Sequence, residues 1–370
     1  MSKKRLVIHV GFHKSGTTAL QESFHANSKL LLEHDIKYPN IGARAHHRMA
    51  WALTQRSWGW GKRGGEKIPP KYWDKKVKTL SSAKESTIVL SSEFFSELDG
   101  EKIRKIRSDF RDWEIRILFT LRPLAKLLPS TYQQYLKYGT VAEYEDWLHS
   151  ILDIPGESKI NPSFWKRHSH GKVIARWVDI FGPSSVSVLI VNESQPTFLF
   201  DAINDFLGLP KGTLASTETG SNRSLTMEEI ALLLELNRIF PKSRNWDEYQ
   251  VFIRNGYIRE LTDHISPSAD SARLLTPTWA IEKANEIGGQ IRDEIRSLGV
   301  TVIGDSSSLG SATVPSGHSK YPDQINIKTV AAAMLAFDRE TVASFPADWL
   351  QQNLFKRFKK QLKVKLKNLI

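Results

Sequence analysis

The apolar run Leu6 to Val10 passes without a spacer into Gly11-Phe-His-Lys-Ser-Gly-Thr-Thr18, and the stretch after it, Ala19 to Glu33, spaces its apolar residues for a helix. A buried strand, a turn rich in glycine and hydroxyls, and a helix in that order leave few folds open, because the helix must pack back onto the sheet that holds the strand. Short apolar runs recur at Thr87–Leu90, Ile115–Leu121 and Val186–Val191, alternating with helical patterns at Leu124–Tyr138, Trp165–Phe181 and Thr197–Leu207. The alternation predicts an α/β fold: a parallel sheet with helices on both faces.

From Met227 to Gly299 the patterns are almost purely helical, with breaks near Pro241 and Pro277, which reads as a helical flank of the same domain. The chain has 370 residues, more than the ~250–300 at which a single core stops growing. One large domain over 1–304, a flexible linker over 305–324 rich in Ser, Gly and Pro, and a helical C-terminal extension over 325–370 account for the length. Charged residues at 25% and hydrophobic ones at 40% exclude a disordered, collagen-like or multi-span chain. Without cysteine there is no disulfide, thiolate metal ligand or cysteine nucleophile. The N-terminal apolar run is too short for a signal peptide or a membrane span, so a cytoplasmic protein is expected. A net charge of +12 favours anionic partners. No recognised nucleic-acid module accompanies it, so nucleic acid is not the expected one.

Gly11 and Gly16 have the Gly-x4-Gly spacing of a phosphate-holding P-loop, in which backbone N–H groups and a helix N-terminus face the anion. A nucleoside-triphosphate loop also needs a lysine after the second glycine. Here Thr17 stands there, and the lysine, Lys14, comes earlier. A cation at the front of the loop suits an anion that extends outward from a 5′-phosphate. Further on, Ile117-Leu-Phe-Thr-Leu-Arg122 ends a strand, and Ser130 follows eight residues later inside the next helix. Arginine offers a planar fork to phosphate oxygens, and serine a short donor.

The Lys14-Ser-Gly-Thr-Thr18 string after a strand, with Arg122 and Ser130 downstream, resembles the sulfotransferases that use 3′-phosphoadenosine 5′-phosphosulfate (PAPS), on the side of their bacterial and carbohydrate-directed members. The resemblance is specific over about thirty residues and otherwise follows element order. It implies a P-loop-like fold and transfer of a sulfuryl group to a hydroxyl or amine, with 3′,5′-ADP as product and no metal. Gly11, Lys14, Ser15, Gly16, Thr17 and Thr18 would hold the 5′ side, and Arg122 with Ser130 the 3′-phosphate. Two departures separate the chain from small-molecule members. Ala19 stands where they have Trp, and their Arg-Lys-Gly loop lacks a clean counterpart, a role left to Arg223 or to nothing.

An acceptor proton needs a base. Glu93, at the end of the strand from Thr87, lies between the two cofactor motifs, and His46 and His47 compete with it. The Gly-rich insertion from Arg56 through Trp73 carries three tryptophans and several cations, suited to a glycan acceptor or to a plain surface loop. Two other readings stand beside sulfuryl transfer: an ATP-dependent P-loop kinase with Glu93 holding Mg²⁺, and a non-catalytic nucleotide-binding protein.

In the tail Leu350, Leu354, Phe358, Leu362 and Leu366 recur every four positions, and residues 346–370 carry +6. A basic amphipathic helix of this kind either lies on an anionic membrane, here at its inner face, or packs on the core.

Overall fold

The computed structural model describes residues 3–41, 44–55, 63, 67–217, 223–327 and 329–331. Six strands, β1 (Arg5–His9), β2 (Ile36–Lys37), β3 (Thr87–Ser91), β4 (Glu114–Leu121), β5 (Val186–Ile190) and β6 (Thr301–Ile303), form one sheet in the order β2-β3-β1-β4-β5-β6. Every pairing is parallel, with Leu6 opposite Ile88 on one side and Ile115 on the other. The expected α/β fold with a parallel, helix-covered sheet is the fold observed.

Alternate residues of β1 explain why the sheet needs cover on both sides. Leu6, Ile8 and Val10 enter the larger core with Phe12, Phe119 and Trp177, while Val7 points the other way among Leu20, Phe24, Leu189 and Ile203. A strand buried on both faces reads as an unbroken apolar run, which is why β1, β3 and β5 are plain in the sequence. Strands β2 and β6 have only two and three residues, too few to show a period, and were not expected. The helix expected over Trp165–Phe181 is broken at Ser169 into Phe164–His168 and His170–Phe181.

All strand C-termini lie on one edge. The chain leaves β1 towards β2 and leaves β4 towards β5, so the two connections diverge and a crevice opens between the Gly11–Thr18 loop and Arg122.

The segment expected to be a flexible linker is instead seated on the domain as far as Tyr321. Leu309 and Ala312 are buried, and a Cβ at Gly288, in the helix Thr278–Ser297, would lie 1.8 Å from the Leu309 carbonyl oxygen. Asn285 exchanges two hydrogen bonds with the Ala312 backbone, and the Tyr321 hydroxyl accepts from the Tyr144 amide at 3.0 Å. Glycine and serine here allow close approach to that helix, not freedom from it. Beyond 331 the basic amphipathic tail lies outside the described residues. No described helix is long and apolar enough to cross a membrane.

The packing of residues 305–321 yields a stability test. Leu309→Ala should lower the free energy of unfolding in urea by about 2–4 kcal/mol, as for other buried leucines. An unchanged midpoint would mean that the segment hangs free.

Candidate functional site

The loop after β1 is shaped by two glycines and one strained lysine. A Cβ at Gly11 would come within 2.1 Å of the Thr17 side chain, so only glycine fits. Gly16, at φ 83°, caps the helix Thr17–Ala26 with no side-chain hydrogen bond, which leaves the first helical N–H groups without an intrahelical or side-chain partner. Lys14 also lies in the left-handed region, at φ 65°. That conformation is uncommon for a side chain of its size.

Beneath the loop runs a chain of buried hydrogen bonds. The Ser15 hydroxyl donates to the Phe12 carbonyl at 2.6 Å and lies 2.9 Å from Thr120 Oγ1. Having one proton, Ser15 must accept from Thr120. Thr120 then accepts from His9 Nε2–H at 3.1 Å, and His9 Nδ1 accepts from the Ser91 hydroxyl at 2.8 Å. Burial pushes the His9 ring down to about 4, Glu93 opposing, so the ring is neutral. Ser15, expected to face an anion through its hydroxyl, thus holds the loop to β4.

Glu93 begins the short 3₁₀ turn that follows β3. Gln21 Nε2–H donates to it at 3.3 Å, and His47 Nδ1 lies 3.7 Å from the same oxygen and 2.8 Å from Ser92 Oγ. Burial raises the Glu93 carboxyl, but His47, His13, its own amide and Gln21 outweigh that and hold it below the ordinary carboxylate range. The rings of His47 and His13 meet Phe94 edge-on at 5.0 and 5.1 Å, fixing both beside Glu93. His46 is not part of this group. It accepts from the Ser91 amide at 2.9 Å and donates through Nε2 to the Pro39 carbonyl at 2.8 Å, and burial lowers it to about 4. The expectation that either histidine could serve as base therefore narrows to His47.

Glu93 and Arg122 both act on Lys14. Burial lowers the Lys14 ammonium, Glu93 raises it and Arg122 lowers it further. Arg122 pairs with Glu193, which Lys126 also approaches at 3.4 Å, and its buried Nε has no partner. The Ser130 hydroxyl donates to the Leu127 carbonyl at 3.0 Å and keeps its lone pairs. Arg223 is committed elsewhere: both its terminal nitrogens pair with Glu229, at 2.7 and 2.8 Å, within the capping box of the helix Met227–Ile239. Its expected role at a phosphate is not supported by that position.

Other residues of the site drew no attention in the sequence. Glu97 takes His13 at 3.5 Å and Arg167 at 2.8 Å, and also lines a cavity of ≈ 260 Å³ with Thr54, Trp165, Lys166, Lys172 and Arg176. His13 could have been noticed as the neighbour of Lys14. Glu97 and Arg167 could not, since only the fold brings them together. Of the insertion's tryptophans, Trp73 is buried and donates to Asp109 at 2.6 Å, so it anchors its helix instead of offering a face to sugar. Trp58 and Trp60 lie outside the described residues.

Comparison with models of known families gives no match, and comparison with curated proteins gives none. Among solved structures, a sulfotransferase from Alicyclobacillus acidocaldarius is similar at a TM-score of 0.40 and 15% identity, over 68% of this chain and 100% of that one. At that score the likeness decides neither activity nor site residues.

The neutral buried histidines set an acid dependence. His9 and His46, at about 4, and His170, at about 3, lie below the ordinary value of 6.5, so the unfolded chain binds protons first as pH falls. Their contribution is complete above about pH 6.5 and is lost on going down towards pH 4. The urea midpoint should therefore drop steadily over that window, and less steeply in His46→Gln. A midpoint that stays level from pH 7 to 5 would show that these rings are not held neutral by the fold.

Proposed function

We propose that the protein is a sulfotransferase that moves a sulfuryl group from PAPS to a hydroxyl or amine of a carbohydrate acceptor. The observation that carries this reading is the crevice itself. Lys14 and an uncapped helix N-terminus stand on one side, and Arg122, with a buried unpartnered Nε, on the other. Glu93 lies within electrostatic reach of Lys14. A Cβ at Gly11 would meet Thr17 and one at Gly16 would meet Leu199, so both glycines are needed for the loop to take this shape, and the uncapped helix N-terminus it leads into suits an anion.

The donor supplies an activated sulfuryl group. The acceptor oxygen forms a bond to sulfur as the bond from sulfur to the bridging oxygen breaks, and charge grows on the departing phosphate. Lys14 and the free amides of Thr17 and Thr18 suit that charge, because they are held in place before it develops. The acceptor proton passes to Glu93, which is ionised at neutral pH, and His47 beside it stabilises the charge before transfer. Arg122 and Ser130 suit a 3′-phosphate, and Glu193 occupies Arg122 as an internal anion of the same sign.

Two measurements test this. In calorimetry 3′,5′-ADP should bind roughly tenfold or more tightly than 5′-ADP, as a charge-assisted phosphate contact requires. Arg122→Ala should erase that preference, and Glu193→Gln should strengthen it by freeing the guanidinium. Preferential binding of Mg·ATP would replace sulfuryl transfer with the kinase reading. Glu93→Gln should leave 3′,5′-ADP binding intact and slow transfer from PAPS by roughly 10²–10⁴-fold. A fully active Glu93→Gln enzyme that loses transfer on His47→Asn would move the base to His47.

A further inference from the structure

The cavity beside Glu97 carries more positive charge than its own carboxylates balance. Of the two acids on its wall, Glu97 is held by His13 and Arg167, and Asp99 accepts the Lys102 amide at 3.0 Å as the N-cap of the helix Gly100–Asp109. The Lys102 ammonium pairs with Glu101 at 2.7 Å. Lys166, Lys172 and Arg176 line the same ≈ 260 Å³, and none of them forms an ion pair among the described residues. Arg176 donates through one terminal nitrogen to the Ser96 carbonyl at 3.2 Å, and its buried Nε has no hydrogen-bond partner.

The helix break at Ser169 gathers these groups into one corner. Phe164–His168 ends there and His170–Phe181 begins, and Ser169, which also lines the cavity, caps the longer helix with no side-chain hydrogen bond. Lys172 and Arg176 are four residues apart on that helix, so they stand one above the other on a single face. Trp165 and Lys166 come from the shorter helix. The Trp165 indole N–H donates to the Ile151 carbonyl at 2.7 Å and its ring meets Phe164 edge-on at 5.1 Å, which fixes an aromatic ring at the cavity wall beside the cations.

The 3₁₀ turn Glu93–Glu97 joins this corner to the proposed transfer centre. Glu93 begins the turn and Glu97 ends it, and at a rise of about 2.0 Å per residue they stand roughly 8 Å apart along it. Arg176 bonds to Ser96 within the turn, and the Ser96 hydroxyl donates to the Glu93 carbonyl at 2.6 Å. Side chains span the same gap: His13 lies 3.5 Å from Glu97, His47 lies 3.7 Å from Glu93, and Phe94 meets both rings edge-on.

We propose that the cavity is an anion subsite for the acceptor, taking a carboxylate or sulfate on a sugar ring close to the one being modified. The charge sits against Lys166, Lys172 and Arg176, whose N–H groups form charge-assisted hydrogen bonds with it, and the ring against Trp165. That an anion-bearing sugar binds here is read from the cavity and its contacts; that this sugar belongs to an acceptor rests on the sulfotransferase reading. The acceptor class it names is an acidic oligosaccharide.

The test titrates the full chain, saturated with 3′,5′-ADP, with four probes: a tetrasaccharide of alternating glucuronate and N-acetylglucosamine, its carboxyl-reduced form, that reduced form bearing 6-O-sulfates, and inorganic sulfate. At least one charged sugar should bind about tenfold more tightly than the neutral one, as a hydrogen bond to a charged group provides, and the tighter of the two tells carboxylate from sulfate. Lys166 and Lys172 are exposed, so replacing both by Met should keep the fold and the 3′,5′-ADP affinity while abolishing the preference; replacing both by Arg should retain it. Trp165→Leu should weaken charged and neutral sugars alike. Wild-type protein that does not distinguish charged from neutral sugars, a double Met variant that still does, or one whose only loss is in nucleotide affinity overturns the subsite. So does inorganic sulfate that binds as tightly as the charged sugars, or unchanged sugar binding in Trp165→Leu. Failure of wild-type protein to bind 3′,5′-ADP would overturn the donor reading instead, and the same titrations without nucleotide would still decide the subsite.

Discussion

The hydrogen-bond chain Ser91–His9–Thr120–Ser15 is the interaction on which the site depends. It crosses the three central strands β3, β1 and β4 at their C-terminal ends and finishes on the Phe12 carbonyl inside the loop. Each link has a single allowed donor direction once the Ser15 proton is assigned, so the imidazole is confined to its Nε2–H form. A typical bond of this kind contributes only about 1 kcal/mol net, but a buried partner left unsatisfied costs about 1–3 kcal/mol. Any shift of the loop against β4 would strand several such groups at once. The strained backbone of Lys14 is held by the residues on either side of it, and so its charge is aimed before any ligand arrives.

Electrostatics in the crevice follows from where the carboxylates stand. Glu93, Glu97, Glu193 and Glu229 each sit against a different basic partner: His47, Arg167, Arg122 and Arg223. These pairs are tied to separate elements, the last of them to a helix N-terminus away from the loop. Lys14 is shared between two of them, because it feels Glu93 and Arg122 together.

Much of this was legible in the sequence, for reasons that differ by element. The strand, loop and first helix could be read because β1 is buried on both faces and because glycines 11 and 16 stand where a Cβ would collide. Arg122 and Ser130 were singled out because their types and spacing match the family that the loop resembles. Spacing could not show that Ser15 turns inward, since a serine that anchors and a serine that faces a ligand look alike as letters. The same holds for His46 and His47, adjacent in sequence and assigned to a backbone contact and to the cleft by a single helical step. Residues 305–321 looked like a linker because Ser and Gly lack apolar periodicity, whereas their packing relies on absent side chains at Gly288 and Gly310 and on Asn285. Glu97 and Arg167 became visible only with the fold, because their partners are distant in the chain.

The π-helix at Gln250–Ile258, whose Arg254 guanidinium lies 4.6 Å from the Tyr138 ring, has a consequence for how the helical flank could change over time. Successive residues of an α-helix are turned by about 100° around the axis, so removing one residue upstream of Arg254 and returning the segment to α geometry would swing that side chain away from Tyr138. Everything before and after could keep its packing. The loop of residues 11–18 allows no such edit, because its glycines and its buried bonds are coupled to three strands. A lineage carrying this fold thus has a fixed loop and an adjustable flank. Insertions and deletions, more than substitutions, are the mutations to which that flank would respond.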